Sequence, residues 1–168
     1  MHHRSTSNQN RFKEEQVAPK TRVDPMSFTI LFAGPSDAEY NRLRELLDNR
    51  DLLLLHAHTS EEALRCLGSV SELPVVIADS DLPSGGWCNL LRRLENVPNP
   101  PRLVVSSRLA DERLWAEVLN MGGFDVLATP FCREEVKYVV ENAQDHWCRS
   151  HERDHRCMHN DAAVSSAA

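Results

Sequence analysis

Lysine is scarce where most of the apolar residues lie: between residues 28 and 145 only Lys137 occurs. The formal charge of −6 is also uneven. Residues 1–27 carry five basic and three acidic side chains and residues 146–168 three of each, which leaves −8 on residues 28–145. An acidic central region of that kind argues against nucleic-acid binding. No stretch reaches the ~20 apolar residues of a membrane span, and the amino terminus has no apolar signal core. The five cysteines, Cys66, Cys88, Cys132, Cys148 and Cys157, are odd in number, scattered and without CxxC spacing. They read as reduced thiols rather than a disulfide framework and predict a cytoplasmic protein. Neither GxGxxG nor GxxxxGKS/T occurs, so no dinucleotide or P-loop site is expected. No internal repeat is visible.

What is present is an ordinary globular composition, 41% hydrophobic and 26% charged, in a chain of 168 residues that allows one domain with tails. Residues 1–27 are polar and without apolar periodicity, and read as a flexible extension. Order is expected from Phe28-Thr-Ile-Leu-Phe-Ala33, a buried strand broken by Gly34-Pro35. Ser36-x-x-Glu39 reads as a capping box for a first helix with Tyr40, Leu43, Leu46 and Leu47 on one stripe. A second strand runs from Leu52 through His56-Ala-His58, and Thr59-x-x-Glu62 caps a second helix.

After a third strand at residues 73–79 come a helix over Trp87–Leu94, a strand over Leu103–Ser107, an amphipathic helix stopped by Gly122-Gly123, and a strand over Phe124–Ala128. A final helix spans residues 133–147, and residues 148–168 read as a frayed helix end and flexible tail. Five alternations of strand and helix predict a three-layer α/β domain over residues 28–147. Its sheet is five-stranded and parallel in the order 2-1-3-4-5, with five helices, two on one face and three on the other.

The stretch that carries chemistry is Leu73-Pro-Val-Val-Ile-Ala-Asp79-Ser-Asp81-Leu-Pro83-Ser-Gly85-Gly86. An apolar run without polar alternation is a strand buried on both faces. Asp79 ends it, at the carboxyl edge where open α/β sheets form their ligand crevices. It could simply terminate the strand, or it could be a reactive or ion-binding carboxylate.

Three stretches, in order, resemble the receiver domains of bacterial response regulators, which share the flavodoxin-like fold. Asp79-Ser-Asp-Leu-Pro83-Ser-Gly-Gly86 is similar to the phospho-acceptor segment of that family. Pro101-Arg-Leu-Val-Val-Ser106-Ser107 is similar to its fourth strand, and Gly122-Gly-Phe-Asp-Val-Leu-Ala-Thr-Pro130-Phe131 to the segment around its fifth. The resemblance covers about residues 28–147. It implies a two-component phosphorelay signalling module, not an enzyme, whose partner is a histidine kinase or a downstream signalling protein. By the same resemblance Asp79 is the phospho-acceptor, Ser106 the hydroxyl that bonds the phosphoryl group, and Thr129 the occupant of the phosphoryl-facing lysine position.

The chain departs from the pattern at three places. The acidic pair after strand one falls on Gly34 and Pro35, the lysine on Thr129, and the aromatic switch residue of strand five on Val126. Magnesium, which recruits carboxylates, is left with Asp79, a loop carbonyl at Asp81 and water, a weak site. Asp37 and Arg108 complete the expected crevice, with Arg108 placed to pair Asp79 or Asp81 through a bidentate guanidinium. The expectation is therefore an atypical receiver, a pseudo-receiver acting by protein–protein contact, with Asp79 a candidate phosphoprotein site. The alternative is a flavodoxin-like protein holding a small ligand or cofactor in the strand-end crevice.

Other metal-ligand types occur. His146, Cys148, His151, His155, Cys157 and His159 lie in the tail without the paired spacing of a structural zinc site. His56 and His58 point to one face at a strand end, which a sheet-end position explains without a catalytic role.

Overall fold

The computed structural model describes residues 28–48 and 51–164, with side chains through Glu152. The runs of β-branched and aliphatic residues are strands: β1 (Phe28–Ala33), β2 (Leu52–Ala57), β3 (Val75–Asp79), β4 (Arg102–Ser107) and β5 (Asp125–Ala128). Between and after them lie α1 (Asp37–Leu46), α2 (Ser60–Ser69), α3 (Gly86–Leu94), α4 (Glu112–Asn120) and α5 (Arg133–Val164). All strand pairs are parallel and the sheet order is β2-β1-β3-β4-β5, as the sequence predicts.

Because successive strand residues face opposite sides, a strand covered on both faces must be apolar throughout. Leu31, Ala33, Val76, Ala78, Leu103 and Val105 pack against α2, α3 and α4. Their neighbours Ile30, Phe32, Val75, Ile77 and Val104 pack against α1 and α5. The helices therefore divide three and two, and β1, β3 and β4 form the buried centre.

Both predicted capping residues act. Ser36 Oγ accepts from the Glu39 N–H at 3.2 Å and Thr59 Oγ1 from the Glu62 N–H at 3.2 Å. The β3–α3 loop needs its glycines, since Ser84, Gly85 and Gly86 have φ of 66°, 97° and 69° in succession.

One boundary differs from the expectation. The final helix, expected over residues 133–147, runs on as α5 to Val164. The apolar stripe facing the sheet ends near Trp147, but the helix keeps contacts beyond it. The Trp147 ring is buried and lies 4.1 Å from His151, and Ser150 Oγ accepts from Arg102 Nη2 at 2.9 Å. These contacts join the start of β4 to a helix whose exposed sequence carries no core signal. Residues 1–27 and 165–168, with the extension and tail expected there, lie outside the described residues.

Candidate functional site

The carboxyl ends of β1, β3, β4 and β5 open onto a cleft of ≈ 170 Å³ whose walls include Glu39, Asp79, Asp81, Ser107, Arg108 and Thr129. Asp79 occupies the floor at the last position of β3. Its Oδ1 accepts from the Asp81 N–H at 2.7 Å, an Asx-type turn that fixes the carboxylate to the loop following it. The register pairs Asp79 with Ser106 on β4.

Ser106 is fully buried, and among the described residues its hydroxyl and the buried Oγ1 atom of Thr129 find no hydrogen-bond partner. The next residue, Ser107, lines the cleft instead. Its hydroxyl is already engaged, accepting from Ser80 Oγ at 3.0 Å and from the Leu109 N–H at 3.1 Å.

Arg108 pairs with Asp81 rather than Asp79, through a single Nη2–Oδ2 contact of 3.5 Å with both side chains exposed. The expected bidentate clamp is thus one screened contact, worth ~0–1 kcal/mol. Asp37 does not belong to the cleft. As the first residue of α1 it turns toward β2, where its Oδ1 lies 3.6 Å from His56 Nδ1.

The residue that sequence reasoning passed over is Glu39. Two positions along a helix differ by about 200°, so Asp37 facing β2 turns Glu39 toward β3. The capping box is therefore only half built: Ser36 caps the Glu39 N–H, while the Glu39 carboxyl turns into the cleft beside Asp79. Its Oε2 is buried and finds no hydrogen-bond partner among the described residues. Burial, and after it the adjoining Asp79 carboxyl, push Glu39 up from 4.5 to about 7, while Arg108 pulls the other way. Near neutral pH Glu39 is therefore close to half protonated, and its proton offsets part of the charge beside Asp79. A glutamate one turn after a Gly-Pro that replaces two carboxylates was the available signal.

No protein-family model matches the sequence, and no curated protein does either. Solved structures do match. A signal receiver domain of an HD domain-containing protein from Pseudomonas fluorescens is 26% identical, with a TM-score of 0.68 over 82% of this chain and 98% of that one. A response regulator receiver domain protein from Clostridium thermocellum is 20% identical, with a TM-score of 0.63 over 71% and 95%. A chemotaxis response regulator of Vibrio cholerae is 14% identical, with a TM-score of 0.62 over 70% and 98%. The chain folds as a single response-regulator receiver domain.

Within the receiver fold, the departure at Gly34 has a packing cause. A side chain at Gly34 has no room, because a Cβ there would lie 2.7 Å from Phe32 Cζ and 2.9 Å from Asp79 Cβ. A magnesium ion in this cleft could thus draw no carboxylate from Gly34 or Pro35 after β1. The adjoining Asp79 and Glu39 carboxyls are the ones that would hold such an ion. The Asp81 side chain is turned to Arg108, which leaves its backbone carbonyl, the expected ligand at that position, unaffected. A magnesium ion held there would neutralise the charge of an incoming phosphoryl group.

Val126 is buried, whereas Trp115 and Tyr138 of the flanking helices are exposed. The apolar contacts on that face of the receiver come from those two rings, with Val126 beneath them. Among the described residues no helix is long and apolar enough to cross a membrane.

Proposed function

We propose that this chain is an atypical receiver acting in two-component signal transduction through contact with a protein partner, a histidine kinase or a downstream signalling protein. Asp79 is its phospho-acceptor position, and its cleft is set by Glu39 instead of a β1 acidic pair and a lysine. The observation that carries this reading is the Glu39 carboxyl beside Asp79, in a cleft where Gly34, Pro35 and Thr129 supply no charge.

Transfer of a phosphoryl group to Asp79 replaces the donor's leaving oxygen with an Asp79 oxygen and adds negative charge to the cleft. With Glu39 ionised and no lysine, that charge is opposed; with Glu39 protonated or metal-bound, it is tolerated. Phosphorylation is therefore slow and substoichiometric, and strongly dependent on magnesium and on Glu39.

The docking face lies between α4 and α5, where exposed Trp115 and Tyr138 are surrounded by Asp111, Glu112, Asp125 and Glu135. That chemistry suits a partner surface that is both apolar and basic, and it disfavours nucleic acid. A cytoplasmic location accords with Cys66, Cys88, Cys132 and Cys148 being free thiols. The cleft at ≈ 170 Å³ is smaller than the ~300 Å³ at which ligand pockets begin, which counts against a flavin-sized cofactor there.

Intact-mass analysis after incubation with acetyl phosphate and magnesium tests the proposal. The expected result is a partial single adduct on the wild type and none on Asp79→Asn. Rapid stoichiometric labelling would restore an ordinary phospho-switch, and labelling that survives Asp79→Asn would remove Asp79 from the site.

A further inference from the structure

On the far side of β1 from the cleft, the end of β2 and the start of α1 bring three side chains together. Asp37, His56 and His58 each present one ligand atom, all within 4.8 Å of one another. We propose that these three residues form a binding site for a divalent transition metal of the zinc class, open to water at the remaining position.

The arrangement follows from sequence and fold together. His56 and His58 alternate along the end of β2 and so emerge on one face, their ring centroids 4.1 Å apart. The Ser36 cap starts α1 at Asp37, which projects over the same edge. Asp37 Oδ1 lies 3.6 Å from His56 Nδ1 and 4.0 Å from His58 Nε2. Ligand atoms held 2.0–2.1 Å from a tetrahedral zinc sit roughly 3.4 Å apart. Rotation of the two exposed side chains, Asp37 and His58, covers the difference.

The central ligand is already fixed. His56 Nε2 lies 3.0 Å from the carbonyl oxygen of Gly34, which can only accept, so Nε2 carries the proton and donates it. The Tyr40 ring stacks on His56 at 4.5 Å and 7°, and Phe32 lies against it at 5.5 Å. The other ring nitrogen, His56 Nδ1, faces the Asp37 carboxylate oxygen at 3.6 Å, across the position that a shared metal ion would take. A histidine that donates its second nitrogen to a backbone carbonyl is the orientation that metal-binding histidines use. Two imidazoles and one carboxylate select zinc, cobalt, nickel or copper over magnesium or calcium.

The Glu62 carboxylate is committed elsewhere, since its Oε2 accepts from the His58 N–H at 2.8 Å. A bound ion would clamp the first turn of α1, which also carries Glu39, onto the edge strand.

The test uses the full chain, which carries further histidines, so the variants supply the discrimination. Zn²⁺ titrations against a competing chelator are compared for the wild type, His58→Ala and Asp37→Asn, both substitutions being at exposed side chains. Co²⁺ provides an optical readout of coordination. The expected result is one equivalent bound with micromolar or tighter affinity, weakened at least about tenfold in each variant. The visible spectrum of low-coordinate Co²⁺ should be lost with it, while melting temperatures of the metal-free proteins stay alike. Uptake unchanged in both variants, or absent from the wild type, overturns the site. A loss confined to one variant overturns the three-ligand set.

Discussion

Replacing Glu39 by Gln keeps the shape of the side chain and removes its titration. In the native state the carboxyl is held at about 7 against an ordinary 4.5. Between those values the folded protein holds a proton that the unfolded chain releases, so the Glu39 contribution to stability falls as pH rises through that window and levels off above it. At 1.36 kcal/mol per pH unit, a fully insulated group would lose ~3 kcal/mol across the window. Glu39 is partly exposed, and solvent screening brings this to ~1–2 kcal/mol.

Glu39→Gln should therefore match the wild type near pH 4.5 and exceed it by ~1–2 kcal/mol at pH 8. In a domain of this size that is a gap of roughly 4 °C in melting temperature for each kcal/mol. Thermal melts of both proteins at intervals of half a pH unit, followed by circular dichroism, measure it. Parallel pH profiles for the two proteins would show that Glu39 does not sit against Asp79 in solution and would refute the reasoning.

Gly34→Ala should destabilise by ~1–3 kcal/mol, since its Cβ would press on the buried Phe32 ring and on Asp79; urea melts read the loss. Gly34→Asp, which restores the acid of other receivers, should cost at least as much and should not tighten magnesium binding in a titration followed by amide shifts. Arg108→Ala should change stability by less than ~1 kcal/mol, because its contact with Asp81 is single and exposed. The same variant should raise the midpoint of Glu39 further, since Arg108 favours the ionised form; carboxyl carbon shifts of Glu39 against pH would register it.

The sequence alone was enough for the winding of the chain and for the position of Asp79. Uninterrupted apolar runs mark strands covered on both faces, and Ser36 and Thr59 mark where two helices start. These are local signals, written in the period of the chain and in residues three apart. The make-up of the cleft is a different kind of fact. Whether Asp37 or Glu39 faces Asp79 depends on how α1 is rotated against the sheet, and that rotation puts Glu39 in the cleft and Asp37 beside His56.

The two hydroxyls at the end of β4 are sorted by the same packing: Ser106 and Ser107 point to opposite sides of the strand, and Ser107 lines the cleft while both stay buried. The meeting of Asp37 with His56 and His58 joins residues of different elements through the parallel pairing of β1 with β2. Periodicity reports which face of its own element a side chain occupies. Which side chains from separate elements converge is decided only when the helices close over the sheet, because that packing fixes each helix's rotation.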